Sequence, residues 1–172
     1  MSEVHKVLFL CSGNSARSVM AEAILNREGA GKFQAFAASV DPQPELHPHA
    51  VEVLKNFGYD LDDLSVKSWS DFAQNGAENL HFVFTVCDVA AGEAPPEWPG
   101  QPITAHWGVP DPAKVAASDA EIAAAFDVAF GMLRKRVELL LALPVAKLDR
   151  MALASHLNDI GRSEAAGPAK AG

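Results

Sequence analysis

The clearest pattern along the chain lies in its first 30 residues. Val4 to Leu10 is a short, mainly apolar run with β-branched and aromatic side chains, which suits a buried strand. Turn chemistry follows in Cys11-Ser12-Gly13-Asn14-Ser15. From Ala16 the apolar residues Val19, Met20, Ala23, Ile24 and Leu25 recur at helical spacing, and Gly29 and Gly31 are the expected stop. Strand, polar loop and helix in this order open a β-α-β unit.

The rest of the chain continues the alternation. Phe33–Ala38 reads as a strand, and His47–Gly58 as a helix whose apolar set is Ala50, Val51, Val53, Leu54 and Phe57. Residues 64–68 read as a short extended piece, with a short helix from Ser70. His81–Val86 is a second strand, ending at Cys87. A proline-rich loop (Pro95, Pro96, Pro99, Pro102) precedes a short strand at Ile103–Trp107. Ser118, with Glu121 three residues on, is a capping box for a long Ala- and Leu-rich helix to about Leu143. Pro144 ends it, and Lys147–Leu157 reads as one more helical segment. Strands alternating with helices in a short chain imply a parallel sheet covered on both faces, a doubly wound α/β domain.

Charge and composition narrow the function classes. Fourteen Lys and Arg against 22 Asp and Glu leave a net charge of −8, a field that repels nucleic acid and acidic membranes. An anionic substrate therefore has to be held by local positive features. No apolar run approaches the roughly 20 residues of a membrane span, and Val7–Leu10 is too short for a signal-peptide core, so the expected location is cytoplasmic. Two cysteines, Cys11 and Cys87, are too few for a secreted disulfide scaffold; in the cytosol such a pair is catalytic, redox-active or simply buried.

The chemistry concentrates in Cys11-Ser12-Gly13-Asn14-Ser15-Ala16-Arg17-Ser18, where five residues separate a Cys from an Arg. A strand-to-helix loop can curl its backbone N–H groups into an anion nest at the helix N-terminus. Gly13 and Asn14 tolerate the dihedrals such a nest needs. Arg17 supplies a planar fork matched to a tetrahedral oxyanion. The same donors favour the thiolate of Cys11, and Ser18 can donate to that sulfur. The candidate oxyanion site is thus Ser12, Gly13, Asn14, Ser15, Ala16, Arg17 and Ser18 beneath a Cys11 nucleophile.

Val7–Leu25, VLFLCSGNSARSVMAEAIL, resembles the opening of low-molecular-weight protein tyrosine phosphatases and of the arsenate reductases built on that fold; CSGNSARS is closer to the reductases. HPHAVEVLKNFGYDL, KSWSDF, HFVFTVCD and AHWGVPDPA extend the resemblance over roughly residues 4–143. It implies a four-stranded parallel sheet flanked by helices, with the anion loop at the carboxyl edge of the first strand. The expected organisation is a catalytic domain over 1–143, a helical extension over 144–160 and a disordered tail over 161–172.

Transfer to a thiol needs a proton donor for the leaving oxygen. Asp111, stiffened by Pro110 and Pro112, is the candidate, and the resemblance assigns this role to the Asp of the Asp-Pro pair. Cys87 ends a strand as Cys11 does, so in a parallel sheet both thiols face one edge. In the reductases that this chain resembles, a cysteine here attacks the arseno-cysteine, expels arsenite and leaves a disulfide. Thioredoxin-coupled relatives carry a further cysteine near Gly92–Pro96, where this chain has Pro95. An external thiol, glutathione/glutaredoxin or thioredoxin, is then the expected reductant, with no tightly bound cofactor. The alternative is a phosphatase acting on phosphotyrosine or small phosphate esters through Cys11, Arg17 and Asp111, with water as the second nucleophile. Ala113-Lys114-Val115 stands where related phosphatases have tyrosines, which favours a small inorganic oxyanion. A third reading is an oxyanion-binding module without turnover.

Other features are weaker. Gly29-Ala30-Gly31-Lys32 lacks the spacing of a nucleotide loop and is a helix stop. The six histidines show no metal-ligand spacing, so surface and capping roles are expected. Trp98 and Trp107 read as packing rather than pocket walls. Glu22 corresponds to a carboxylate that in relatives helps to hold a monovalent cation.

Overall fold

The computed structural model describes residues 4–11, 16–39, 47–59, 68, 80–86, 102–109 and 118–161. Within them the strands are β1 (His5–Cys11), β2 (Phe33–Ser39), β3 (Phe82–Thr85) and β4 (Ile103–His106). The helices are α1 (Ala16–Glu28), α2 (Pro48–Asn56), α3 (Asp119–Leu141) and α4 (Arg150–Gly161), with a 3-10 turn at Val145–Lys147. Of the expected elements, residues 64–67, the helix from Ser70 and residues 162–172 lie outside the described residues; Ser68 forms a parallel bridge with Ser39.

The strands form one four-stranded sheet in the order β2-β1-β3-β4. Every pairing is parallel, with Cys11 opposite Ser39, Leu10 opposite Thr85, and Thr85 opposite His106. Val7 to Cys11 are buried without a break, as expected of a central strand covered on both faces. β4 instead alternates, with Ile103 and Ala105 buried and Thr104 and His106 exposed, the pattern of an edge strand covered on one face. Phe9, Phe84 and Trp107 form the aromatic centre of the core. Phe84 and Trp107 stack at 4.0 Å between ring centroids with planes 8° apart.

The helix boundaries follow local chemistry. Gly31, at φ +88°, turns the chain out of α1, so the Gly-rich segment is the helix stop that its spacing implied. His47 caps α2 by accepting from His49 N–H through its ring, and Ser118 caps α3 by accepting from Glu121 N–H. The last segment differs from expectation. Helix α4 begins at Arg150 because Asp149 accepts from Ala152 N–H through its carboxylate at 2.8 Å. It runs through Gly161, a residue assigned from the sequence to the tail. Tertiary contacts hold that final turn: Arg136 donates to the Gly161 carbonyl at 3.3 Å. α4 packs against β4 and α3, so the C-terminal segment is docked on the sheet edge.

Candidate active site

Parallel strands present all their carboxyl ends on one edge, where β1 ends on Cys11 and α1 begins at Ala16. Cys11 is the last residue of β1 and is fully buried. Ala16, Arg17 and Ser18 open α1 and are buried as well, Arg17 to 5% exposure. Cys11 and Arg17 therefore flank the anion loop at the same edge of the sheet. Ser12, Gly13, Asn14 and Ser15 between them lie outside the described residues, as do Cys87, Asp111 and Trp98.

A chain of hydrogen bonds ties together the segments that carry these residues. Val86 N–H donates to Leu10 O at 2.9 Å, and Val109 N–H donates to Val86 O at 3.0 Å. The circuit closes on α1, because Arg17 Nη1 donates to Val109 O at 2.7 Å across 92 residues of sequence. Leu10 immediately precedes Cys11, Val86 immediately precedes Cys87, and Val109 stands two residues before Asp111. The guanidinium of Arg17 thus joins the start of the loop helix to the segment leading into Pro110-Asp111-Pro112. A charge-assisted bond of this length is among the stronger ones a buried carbonyl can accept.

A second cation lies behind the first. Arg136, on α3 and 4% exposed, donates through Nη1 to Trp107 O at 2.8 Å and Gly108 O at 2.7 Å. Burial lowers its pKa from the ordinary arginine value, and the carbonyl dipoles around it offset part of that penalty. Sequence reasoning missed this residue. The signal was present: Leu133, Arg136, Val137 and Leu140 share one buried helix face, and an arginine among them has to find acceptors inside. Arg17 and Arg136 thus place two buried guanidiniums on the backbone of residues 107–109.

Trp107, His81 and His106 make structural contacts. Trp107 is fully buried in the core and donates through Nε1 to Leu157 O at 2.9 Å, so it packs rather than lines a pocket. Glu22 is buried on α1, one turn beyond Ser18. His81 accepts from Lys6 N–H through Nδ1, and His106 Nδ1 lies 2.8 Å from Thr85 Oγ1. Among the described residues no group of three or more His, Cys, Asp or Glu is placed to hold a metal ion. None of the described helices is long and apolar enough to cross a membrane.

Comparison with known proteins agrees with this geometry. The family model of low molecular weight phosphotyrosine protein phosphatase matches residues 6–152. The chain is 30% identical over 137 residues to a glutaredoxin arsenate reductase of Synechocystis, a match covering 80% of this chain and 96% of the relative. It is 31% identical over 116 residues to an arsenate reductase of Bacillus subtilis, covering 67% and 79% respectively. Among solved structures, an arsenate reductase in its phosphate-binding state superposes with a TM-score of 0.65 at 30% identity, covering 81% of this chain and 98% of that one. A tyrosine phosphatase of Erwinia amylovora shares the fold, with a TM-score of 0.63 at 19% identity. With a parallel sheet that ends β1 on a buried cysteine, an arginine opening the next helix and a family match over most of its length, this chain belongs to the low molecular weight phosphotyrosine protein phosphatase family.

Proposed function

We propose that this protein is a thiol-dependent arsenate reductase. What carries the reading is the hydrogen-bonded circuit Leu10–Val86–Val109–Arg17, together with the arsenate reductases among the chain's relatives. The reading is supported by this gathering, near the end of β1, of the residues that precede Cys87 and Asp111 in sequence.

In the proposed reaction, loop amides, Ser18 and Arg17 hold arsenate, and the Cys11 thiolate attacks arsenic. Asp111 gives its proton to the departing oxygen, which leaves as water, and an S–As(V) bond remains. The Cys87 thiolate then attacks Cys11 Sγ. The S–S bond forms, the S–As electron pair goes to arsenic, and arsenite departs as As(III). Glutaredoxin with glutathione, or thioredoxin, returns two electrons and reopens the disulfide in the cytoplasm. An external thiol can make the same attack in place of Cys87.

The phosphatase reading uses Cys11, Arg17 and Asp111 in the same way, and the family match favours it as the second function. Recognition of a phosphotyrosine ring through a tyrosine is disfavoured. The chain's one tyrosine, Tyr59, is buried beneath Arg27, whose guanidinium lies 4.1 Å from the ring centroid.

The test is arsenite release with either reductant system and, in parallel, hydrolysis of an aryl phosphate. Wild type, Cys11→Ser and Cys87→Ser are compared. A reductase resolved by Cys87 loses arsenite release in both variants but ester hydrolysis only in Cys11→Ser. Ester hydrolysis without any arsenite release would establish the phosphatase instead, and binding without either turnover a non-catalytic oxyanion module.

A further inference from the structure

Three consecutive carbonyls on the approach to Asp111 are gripped by two buried cations from different helices. Arg136 on α3 holds Trp107 O and Gly108 O, and Arg17 on α1 holds Val109 O. Arg136 reaches through Nη2 to the carbonyl of Gly161, at the C-terminus of α4, where the helix dipole favours a cation. The same helix receives the Trp107 indole N–H on Leu157 O. Gly161 brings the α4 backbone so close to the His106 carbonyl that a Cβ there would collide with it. That Cβ would also lie 2.9 Å from Trp107 Cδ1. The family match ends at residue 152, so Leu157 and Gly161 belong to a stretch beyond it.

We propose that Arg136 is a positioning residue which, with the final turn of α4, fixes the backbone of residues 107–109 and through it the proton donor that follows. A buried cation is a poor choice for stability alone, because its desolvation offsets much of what its bonds contribute. What a guanidinium supplies is direction: several donors in a rigid plane specify where each acceptor stands. A general acid depends on such placement, since its contribution falls steeply when the carboxyl is displaced by a fraction of a bond length from the leaving oxygen. The C-terminal helix acquires a role from the same contacts, as the wall against which this segment is clamped. The inference rests on Asp111 as the acid of the proposed reaction.

The experiment is a double-mutant cycle of Arg136→Lys and Asp111→Asn in the full chain. Single-turnover rates at saturation, and half-saturating concentrations, are measured against pH for arsenate with reductant and for an aryl phosphate. Asp111→Asn is expected to lower the saturating rate about 10²-fold or more and to abolish its alkaline fall. Arg136→Lys is expected to lower it at least about tenfold and flatten the same limb, leaving half-saturation within about twofold. The double variant is expected to be no slower than Asp111→Asn, because the lysine acts only through the acid.

Effects that multiply in the double variant, or a wild-type rate in Arg136→Lys, would overturn the positioning role. An unchanged rate in Asp111→Asn alone would remove both the acid assignment and this inference, and would be visible before any Arg136 variant is made. If Arg136→Lys does not fold, Gly161→Ala keeps both cations and forces α4 off His106; the same non-additivity is expected, and multiplication again refutes. Should the ester alone be turned over, the cycle is read on it, since its leaving oxygen needs the same proton. No turnover of either substrate refutes both the reaction and the positioning role.

Discussion

Replacing Arg17 by lysine keeps the positive charge and removes the planar fork. The guanidinium is 5% exposed and commits Nη1 to Val109 O at 2.7 Å, while the proposed reaction asks the same group to hold an oxyanion. A shorter ammonium has to choose between the two. Loss of the bond to Val109 removes a charge-assisted contact to a buried carbonyl, about 1.5–3 kcal/mol of stability. For a chain of this length that is a fall in melting temperature of about 3–12 °C. Loss of one prearranged donor at the site of developing charge lowers turnover by about 10²–10³-fold. The two effects are read separately, by urea unfolding with an unchanged m-value and by kcat on arsenate and on an aryl phosphate. If the lysine satisfies Val109, stability holds and turnover falls; if it satisfies the oxyanion, the reverse. A variant within about threefold of wild-type turnover and about 0.5 kcal/mol of wild-type stability would refute the dual role assigned to the fork.

Trp107→Phe removes the N–H bond to Leu157 O and leaves roughly 40 Å³ unfilled, for a combined loss of about 2–4 kcal/mol. Urea unfolding measures it, and a loss below about 1 kcal/mol would mean that α4 is not latched to the core through this indole. Tyr59 gives a pH test. Burial, the largest effect on it, holds its phenol pKa above the ordinary value of 10.0, with Arg27 acting in the opposite direction. The folded state then keeps a proton that the unfolded state has released, so this contribution to stability is present below about pH 10 and declines as pH rises through the folded pKa. Tyr59→Phe lacks that decline, and the stability of wild type relative to the variant should fall above about pH 10. Curves that stay parallel to pH 11 would show that Tyr59 is not desolvated.

Much of the architecture was legible in the chain because its signals are local. The unbroken burial of Val7–Cys11, the helical spacing from Ala16, the stop at Gly31 and the caps at His47 and Ser118 depend on neighbours within a turn or a strand's length. The residue types between Cys11 and Arg17 point to an anion loop by the same local logic, and Ser12–Ser15 lie outside the described residues. The last helix slipped at both ends: its start was set locally by the Asp149 cap, its end by distant contacts. Gly161 reads as the start of a tail, yet a carbonyl contact to Arg136 and close packing on His106 keep it helical.

The sequence by itself determined the order of strands and helices, the residue types of the anion loop and the family to which they point. Tertiary structure decided which backbone groups meet: Val86 with Leu10, Val109 with Val86, and Arg17 with Val109 across most of the domain. It also decided that Arg136 turns inward onto Trp107 and Gly108, and that α4 closes over β4. Periodicity says which face of an element is buried and nothing about what it is buried against. Partners at long range are chosen by the joint requirement that every buried cation and carbonyl find its complement once the apolar faces have packed.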